Sequence, residues 1–148
     1  MSIIDELIFD RTTANLVPGD PKGKYDYVDY NRVGEATNYV ADEISGLDID
    51  AKTDWENTTI PTDTLITDYR QNIQTILDSL SLTNSIPTTN NGVLTILGAN
   101  QLEKALFDAH NIVIQIMRWN DVDTLEETWD QLDAKHLVWN EYFLRQTG

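Results

Sequence analysis

The chain has 148 residues, 41% of them hydrophobic and 24% charged, enough for one domain with a real core or a small domain plus an appended segment. Twenty-five acids against ten bases leave a net charge of −15 at pH 7, a field that repels phosphate backbones and anionic membrane surfaces, so no nucleic-acid partner is expected. The absence of cysteine excludes disulfides, thiolate catalysis and Cys-based zinc sites.

The N-terminus, Met1 to Asp10, has no basic leader region, and no apolar run approaches the roughly 18 residues of a membrane span. A soluble protein made in the cytoplasm, with neither signal peptide nor membrane insertion, is the expectation. Residues 1–25 read as an N-terminal arm or loop: an extended or briefly helical stretch through Leu16, then the turn-forming cluster Pro18, Gly19, Asp20, Pro21 and Gly23. The spacing of Tyr30, Val33, Thr37, Val40 and Ile44 predicts a first helix over about 28–45. Asp26 or Asp29 is placed to cap it, and Gly46 to end it.

Residues 47–61 form a polar connection in which Ile49, Trp55 and Ile60 are the expected pins to the helices. Pro61 forbids helix at Ile60, and Thr62 or Asp63 can cap the next one. Leu65, Tyr69, Ile73, Ile76, Leu77 and Leu80 then mark one apolar stripe, predicting an amphipathic helix of about eighteen residues. The stretch from Ser81 to Gly92 is turn chemistry. The short apolar run Val93 to Leu97 is either strand-like or the lead-in to a helix.

A third long helix is predicted from Ala99 to about Arg118, with Asn100 as N-cap and Glu103 at the capping-box position. Leu102, Leu106, Ala109, Ile112, Val113, Ile116 and Met117 are its expected buried face. A capping-box spacing at Thr124 and Glu127, followed by Leu125, Trp129 and Leu132, suggests a short fourth helix. The fold class is therefore mostly α: a small three-helix bundle over 26–118, with a Trp-rich C-terminal segment, 119–148, of short helical turns packed on or extending from it.

That segment holds three of the four tryptophans, Trp119, Trp129 and Trp139, spaced ten apart and each opening a similar pentad. Two readings are open. The rings are docked on the preceding helices, or they form a strip of partner-binding anchors comprising Trp119, Trp129, Leu132, Trp139 and Tyr142.

Little points to catalysis or to a cofactor. His110 and His136 have no companion at metal-ligand spacing. Calcium loops counted from Asp121 or Asp48 put Glu126 or Thr53 where glycine is needed, and Leu132 or Thr59 where glutamate is needed. The acids Asp121, Asp123, Glu126, Glu127, Asp130 and Asp133 read as a solvated face rather than a converging acid–base pair. Phosphate-binding glycine loops and nucleophile-elbow motifs are missing. No catalytic residue, metal or cofactor is expected.

Four phrases, in order, resemble a small helical module found in phage and prophage virion structural proteins. They are the run from Tyr25 to Ile44 containing Asn31-Arg32-Val33, then Lys52-Thr53-Asp54-Trp55 with Ile60-Pro61-Thr62, then Ala99 to His110, and finally Glu127-Thr128-Trp129 through Leu132-Asp133. The last resembles the Thr-Trp-x-x-Leu-Asp units that end such proteins. This chain departs from the pattern in carrying Val28 before the first helix and Val138 before Trp139, where the module has threonine, so those turns are expected to be packed. The resemblance implies a tail- or baseplate-associated virion component, assembled in the bacterial cytoplasm and present in several symmetric copies. Such a protein would act as an adaptor toward other virion proteins. The alternative is a module at a tail tip that binds host-surface glycan through stacked aromatic rings.

Overall fold

The computed structural model describes residues 1–83, 86 and 94–123, the last three as backbone only. Its described residues contain three α-helices and no strand, an all-α fold. The helices are α1 (Tyr27–Asp42), α2 (Asp63–Ser79) and α3 (Ile96–Asp123), preceded by three short 3₁₀ turns within residues 3–23. The chain divides into two compact units, Met1–Ile114 and Gln115–Gly148.

Each helix starts where a side chain can satisfy the orphan N–H groups of the first turn. At α1, the Asp26 carboxylate accepts from the Val28 N–H, and Asp29 reaches back to accept from the Asp26 N–H at 3.0 Å. Both aspartates named from the sequence thus act together, as a capping box with acids at the positive end of the helix dipole. Val28 itself is 52% exposed, so the expectation that this turn is packed is corrected. With Asp26 supplying the cap, a valine at the second position of the helix has no packing duty. At α2, Thr62 accepts from the Leu65 N–H.

The start of α3 differs from the expectation. Thr95 caps it, its hydroxyl accepting from the Gly98 N–H at 3.0 Å and its carbonyl from the Ala99 N–H at 2.8 Å. Ile96 and Leu97 belong to the helix, so the described end of the ambiguous apolar run leads into it, while Val93 lies outside the described residues. Asn100 and Glu103 lie inside the helix and are free to serve tertiary contacts instead of a cap.

The end of α2 is a Schellman motif without glycine. Ser81 sits at φ 55°, while its N–H donates to the Asp78 carbonyl and the Leu82 N–H to the Leu77 carbonyl at 2.8 Å. Beyond α1, Gly46 holds the left-handed conformation at φ 80°, three residues after the Glu43 C-cap.

A single apolar core in the first unit joins Tyr30, Val33, Ala36 and Val40 of α1, Ile66, Tyr69, Ile73, Ile76 and Leu77 of α2, and Leu102, Leu106, Ala109 and Val113 of α3. Ile4 and Leu7 enter the same core, so the start of the stretch read as an arm or loop is anchored by burial. Trp55 is buried as expected and Ile49 half-buried against the core, but Ile60 is 82% exposed and pins nothing. The Pro61 that follows keeps the Ile60 backbone out of the helical region.

Candidate interaction surface and the clamps beneath it

Two irregular segments lie against the helices of the first unit, and their backbone polar groups must find partners there. Three helical asparagines meet that need in the same way. Asn31 accepts from the Trp55 N–H at 2.7 Å and donates to the Trp55 carbonyl at 2.9 Å. Two turns later Asn38 does the same for Ala51, at 2.7 and 3.0 Å. On α3, Asn100 accepts from the Arg11 N–H at 3.1 Å and donates to the Arg11 carbonyl at 2.8 Å. A primary amide both donates and accepts from one planar group, so each asparagine mimics a strand neighbour. Gly34 lies between Asn31 and Asn38, and a Cβ there would overlap the Lys52 carbonyl oxygen. The missing side chain is what lets residues 51–55 lie against α1.

Beneath the N-terminal segment is a buried charge cluster. The Arg11 guanidinium pairs with Asp29 at 2.8 Å and Glu103 at 2.7 Å, and Arg32 pairs with the same two acids at 2.6 and 3.0 Å. The Glu103 side chain is wholly buried and also accepts from the Ile8 N–H at 2.6 Å. Two cations and two anions neutralise each other, which is the condition for burying charge at tolerable cost. Burial works against the Arg32 charge, but Glu103 and Asp29 outweigh it and hold Arg32 above its ordinary value. Arg11 also lies over the Tyr25 ring, 5.2 Å from its centroid.

Next to this cluster the aromatic rings of the core meet. Tyr30 stacks on Trp55 with centroids 4.8 Å apart, and Tyr25 and Tyr69 meet Tyr30 edge-on. The Tyr25 and Tyr69 hydroxyls share a 2.7 Å hydrogen bond. Burial pushes both phenols well above the usual tyrosine range.

Of the residues named as partner anchors, Trp119 lies on α3 in the second unit and is 50% exposed. Trp129, Leu132, Trp139 and Tyr142 lie outside the described residues, as do the positions of the expected fourth helix and of the Val138 turn. Ile116 and Met117, expected on the buried face of α3, are 45% and 46% exposed. The core of the first unit reaches Val113, and the unit ends at Ile114. Beyond that point the helical periodicity continues without that core to bury it.

Arg11, Arg32 and the role of Glu103 escaped the sequence reading. One signal was available: Glu103 adjoins Leu102 and precedes Leu106 by three residues, so it stands on the apolar face where a lone acid needs a cation. His110, named and set aside, makes a 3.1 Å contact to Glu43 and packs against Tyr39. Among the described residues no group of three His, Cys, Asp or Glu side chains could hold a metal ion, and no helix is long and apolar enough to cross a membrane. Comparisons with protein-family models, with curated proteins and with solved structures found no match to this chain.

Proposed function

We propose that this chain is a non-enzymatic structural protein of a phage virion, a tail- or baseplate-associated adaptor working through protein–protein contacts in several symmetric copies. In this reading residues 26–118 are a small three-helix bundle, and the Trp-rich segment, 119–148, is an extension of short helical turns that docks on a larger virion protein. The observation that carries it is the half-exposed run of Ile116, Met117 and Trp119 on α3, which opens the tryptophan strip. Half-exposed large apolar side chains on one stretch of helix are the kind of surface that an assembly covers, and tryptophan is among the strongest interface anchors. A non-enzymatic role is supported by the buried carboxylates Asp29 and Glu103, both engaged by arginines rather than poised for proton transfer.

Mass spectrometry of purified particles tests the virion assignment. The protein is expected in them at a fixed ratio to the major tail proteins, and its absence from washed particles overturns the reading. Light scattering of the full chain against a version ending at Asp123 tests the strip. The shortened chain is expected to stay folded and to lose self-association or incorporation.

A further inference from the structure

A small groove opens between the first turn of α1 and the loop that follows Trp55. Tyr25, Tyr27, Tyr30, Trp55, Thr59 and Pro61 line it, with the acids Asp26 and Glu56 beside them. Its volume is about 150 Å³. Small-molecule sites run to roughly 300–1,000 Å³, so this one is sized for a single side chain. Large apolar groups stand in water around it: Tyr27 is 40% exposed, and Ile60, between two lining residues, is 82% exposed.

The rings decide what kind of side chain fits. Trp55 has Tyr30 stacked on its ring and Lys52 5.5 Å from its centroid. Tyr30 is in turn surrounded by Trp55, Tyr25 and Tyr69. Trp55 and Tyr30 have ring partners inside the protein, and the apolar groups left to a newcomer are the half-exposed Tyr27, Pro61 and the exposed Ile60 beside it, which favour an aliphatic anchor.

Charge decides what flanks that anchor. Asp26 is paired with Lys24 at 2.5 Å, whereas among the described residues the Glu56 carboxylate meets the Thr58 hydroxyl alone, at 3.5 Å. Behind both stands the −15 of the whole chain, which disfavours a second copy as the occupant and attracts a basic one. We propose that the groove between the N-terminal turn of α1 and residues 55–61 is a docking site for one aliphatic side chain carried in a basic segment of a partner protein. It uses no residue of the 119–148 strip and stands whether or not that strip anchors anything.

The test uses the full chain labelled with ¹⁵N and two synthetic pentapeptides, a central leucine flanked by lysines and its twin flanked by glutamates. Millimolar lysine-flanked peptide is expected to shift the Trp55 indole N–H and the amides of Tyr27, Glu56 and Thr59, and the glutamate twin to leave them unmoved. Glu56→Lys is expected to weaken the lysine peptide about two- to fivefold, as suits one rim charge. Ile60→Ser with Tyr27→Ala, both at exposed positions and neither changing the charge, is expected to weaken it about tenfold while amide dispersion shows an intact fold. Unmoved groove resonances, equal shifts from both peptides, or undiminished binding by the double variant would each overturn the proposal.

Discussion

The N-terminal segment and the 51–55 segment solve one problem by different means. Both are irregular chain held against helices, and both use a helical asparagine to satisfy the backbone of one residue, Arg11 in the first and Trp55 or Ala51 in the second. Against α1 the 51–55 segment adds neutral contacts, a tryptophan that stacks on Tyr30 and a close approach over Gly34, while its Lys52–Asp54 ion pair lies exposed within the segment itself. The N-terminal segment adds a fully buried ion cluster. Neutral clamps fail by increments, because each lost hydrogen bond costs about 1 kcal/mol. A buried cluster fails as a unit, because removing one charge strands the others.

The sharpest way to break that contrast is Glu103→Ala. It leaves Arg11 and Arg32 facing Asp29 alone and the Ile8 N–H without its acceptor, at an expected cost of about 3–5 kcal/mol by chemical denaturation. Arg11→Met combined with Glu103→Leu keeps the remaining Asp29–Arg32 pair neutral and fills the space with apolar atoms. That double variant is expected to be more stable than Glu103→Ala alone. Equal losses would mean that the cluster acts as separate hydrogen bonds and the contrast is void.

On the other side, Gly34→Ala drives a methyl group into the Lys52 carbonyl. Alanine gains about 1 kcal/mol of helix propensity over glycine, but displacing backbone costs more, so a net loss of about 2 kcal/mol is expected. The disturbance should be local, with the Trp55 indole resonance moved and those of α3 unchanged. Asn31→Ala is expected to cost about 1–2 kcal/mol, and Asn31→Asp at least as much, since a carboxylate still accepts from the Trp55 N–H but sets a second acceptor against the Trp55 carbonyl.

What the sequence made legible follows from range. The α1 and α2 stripes and their caps repeat within a few residues, and Tyr30, Val33, Val40, Ile73, Ile76 and Leu77 are buried as their spacing required. Asn100 shows where such reasoning stops. Asparagine three residues before glutamate satisfies the capping pattern, yet Thr95 takes the cap and Asn100 binds Arg11, 89 residues away in sequence. Pattern matching could not weigh a competing partner that only tertiary structure supplies. Ile116 and Met117 fail for a related reason: helical period says which residues share a face, not where the element covering that face ends. The tryptophan strip beyond Trp119 was named from sequence and stays a matter of sequence, since it lies outside the described residues.

A pH titration joins the two regions, because the Tyr25–Tyr69 hydrogen bond couples the end of the N-terminal segment to α2. Burial raises both phenols in the folded state, so their contribution is fully present below the ordinary tyrosine pKa of about 10 and is lost as pH climbs toward the folded values. Neutral stability is untouched, and the fold should weaken only on the alkaline side. Phenolate absorbance should show Tyr25 and Tyr69, among the six tyrosines, ionising late and together with unfolding. Normal titration of all six in folded protein would contradict the buried pair.

The smallest expected effect has the opposite sign and belongs to neither region. Ser81 holds φ 55° in the Schellman turn after α2, where a side chain costs roughly 1–2 kcal/mol relative to the right-handed conformation. Glycine has no Cβ to strain there, though it gives up more freedom on folding. Ser81→Gly is therefore expected to stabilise the protein by about 0.5–1 kcal/mol. Because the Ser81 and Leu82 bonds to Asp78 and Leu77 come from the backbone, the turn itself should persist. The gain should add independently to the losses of Glu103→Ala and Gly34→Ala if each site fails on its own. A serine that proves more stable than glycine would mean that this side chain supports the turn beyond its backbone, and that the strain assigned to φ 55° is already offset.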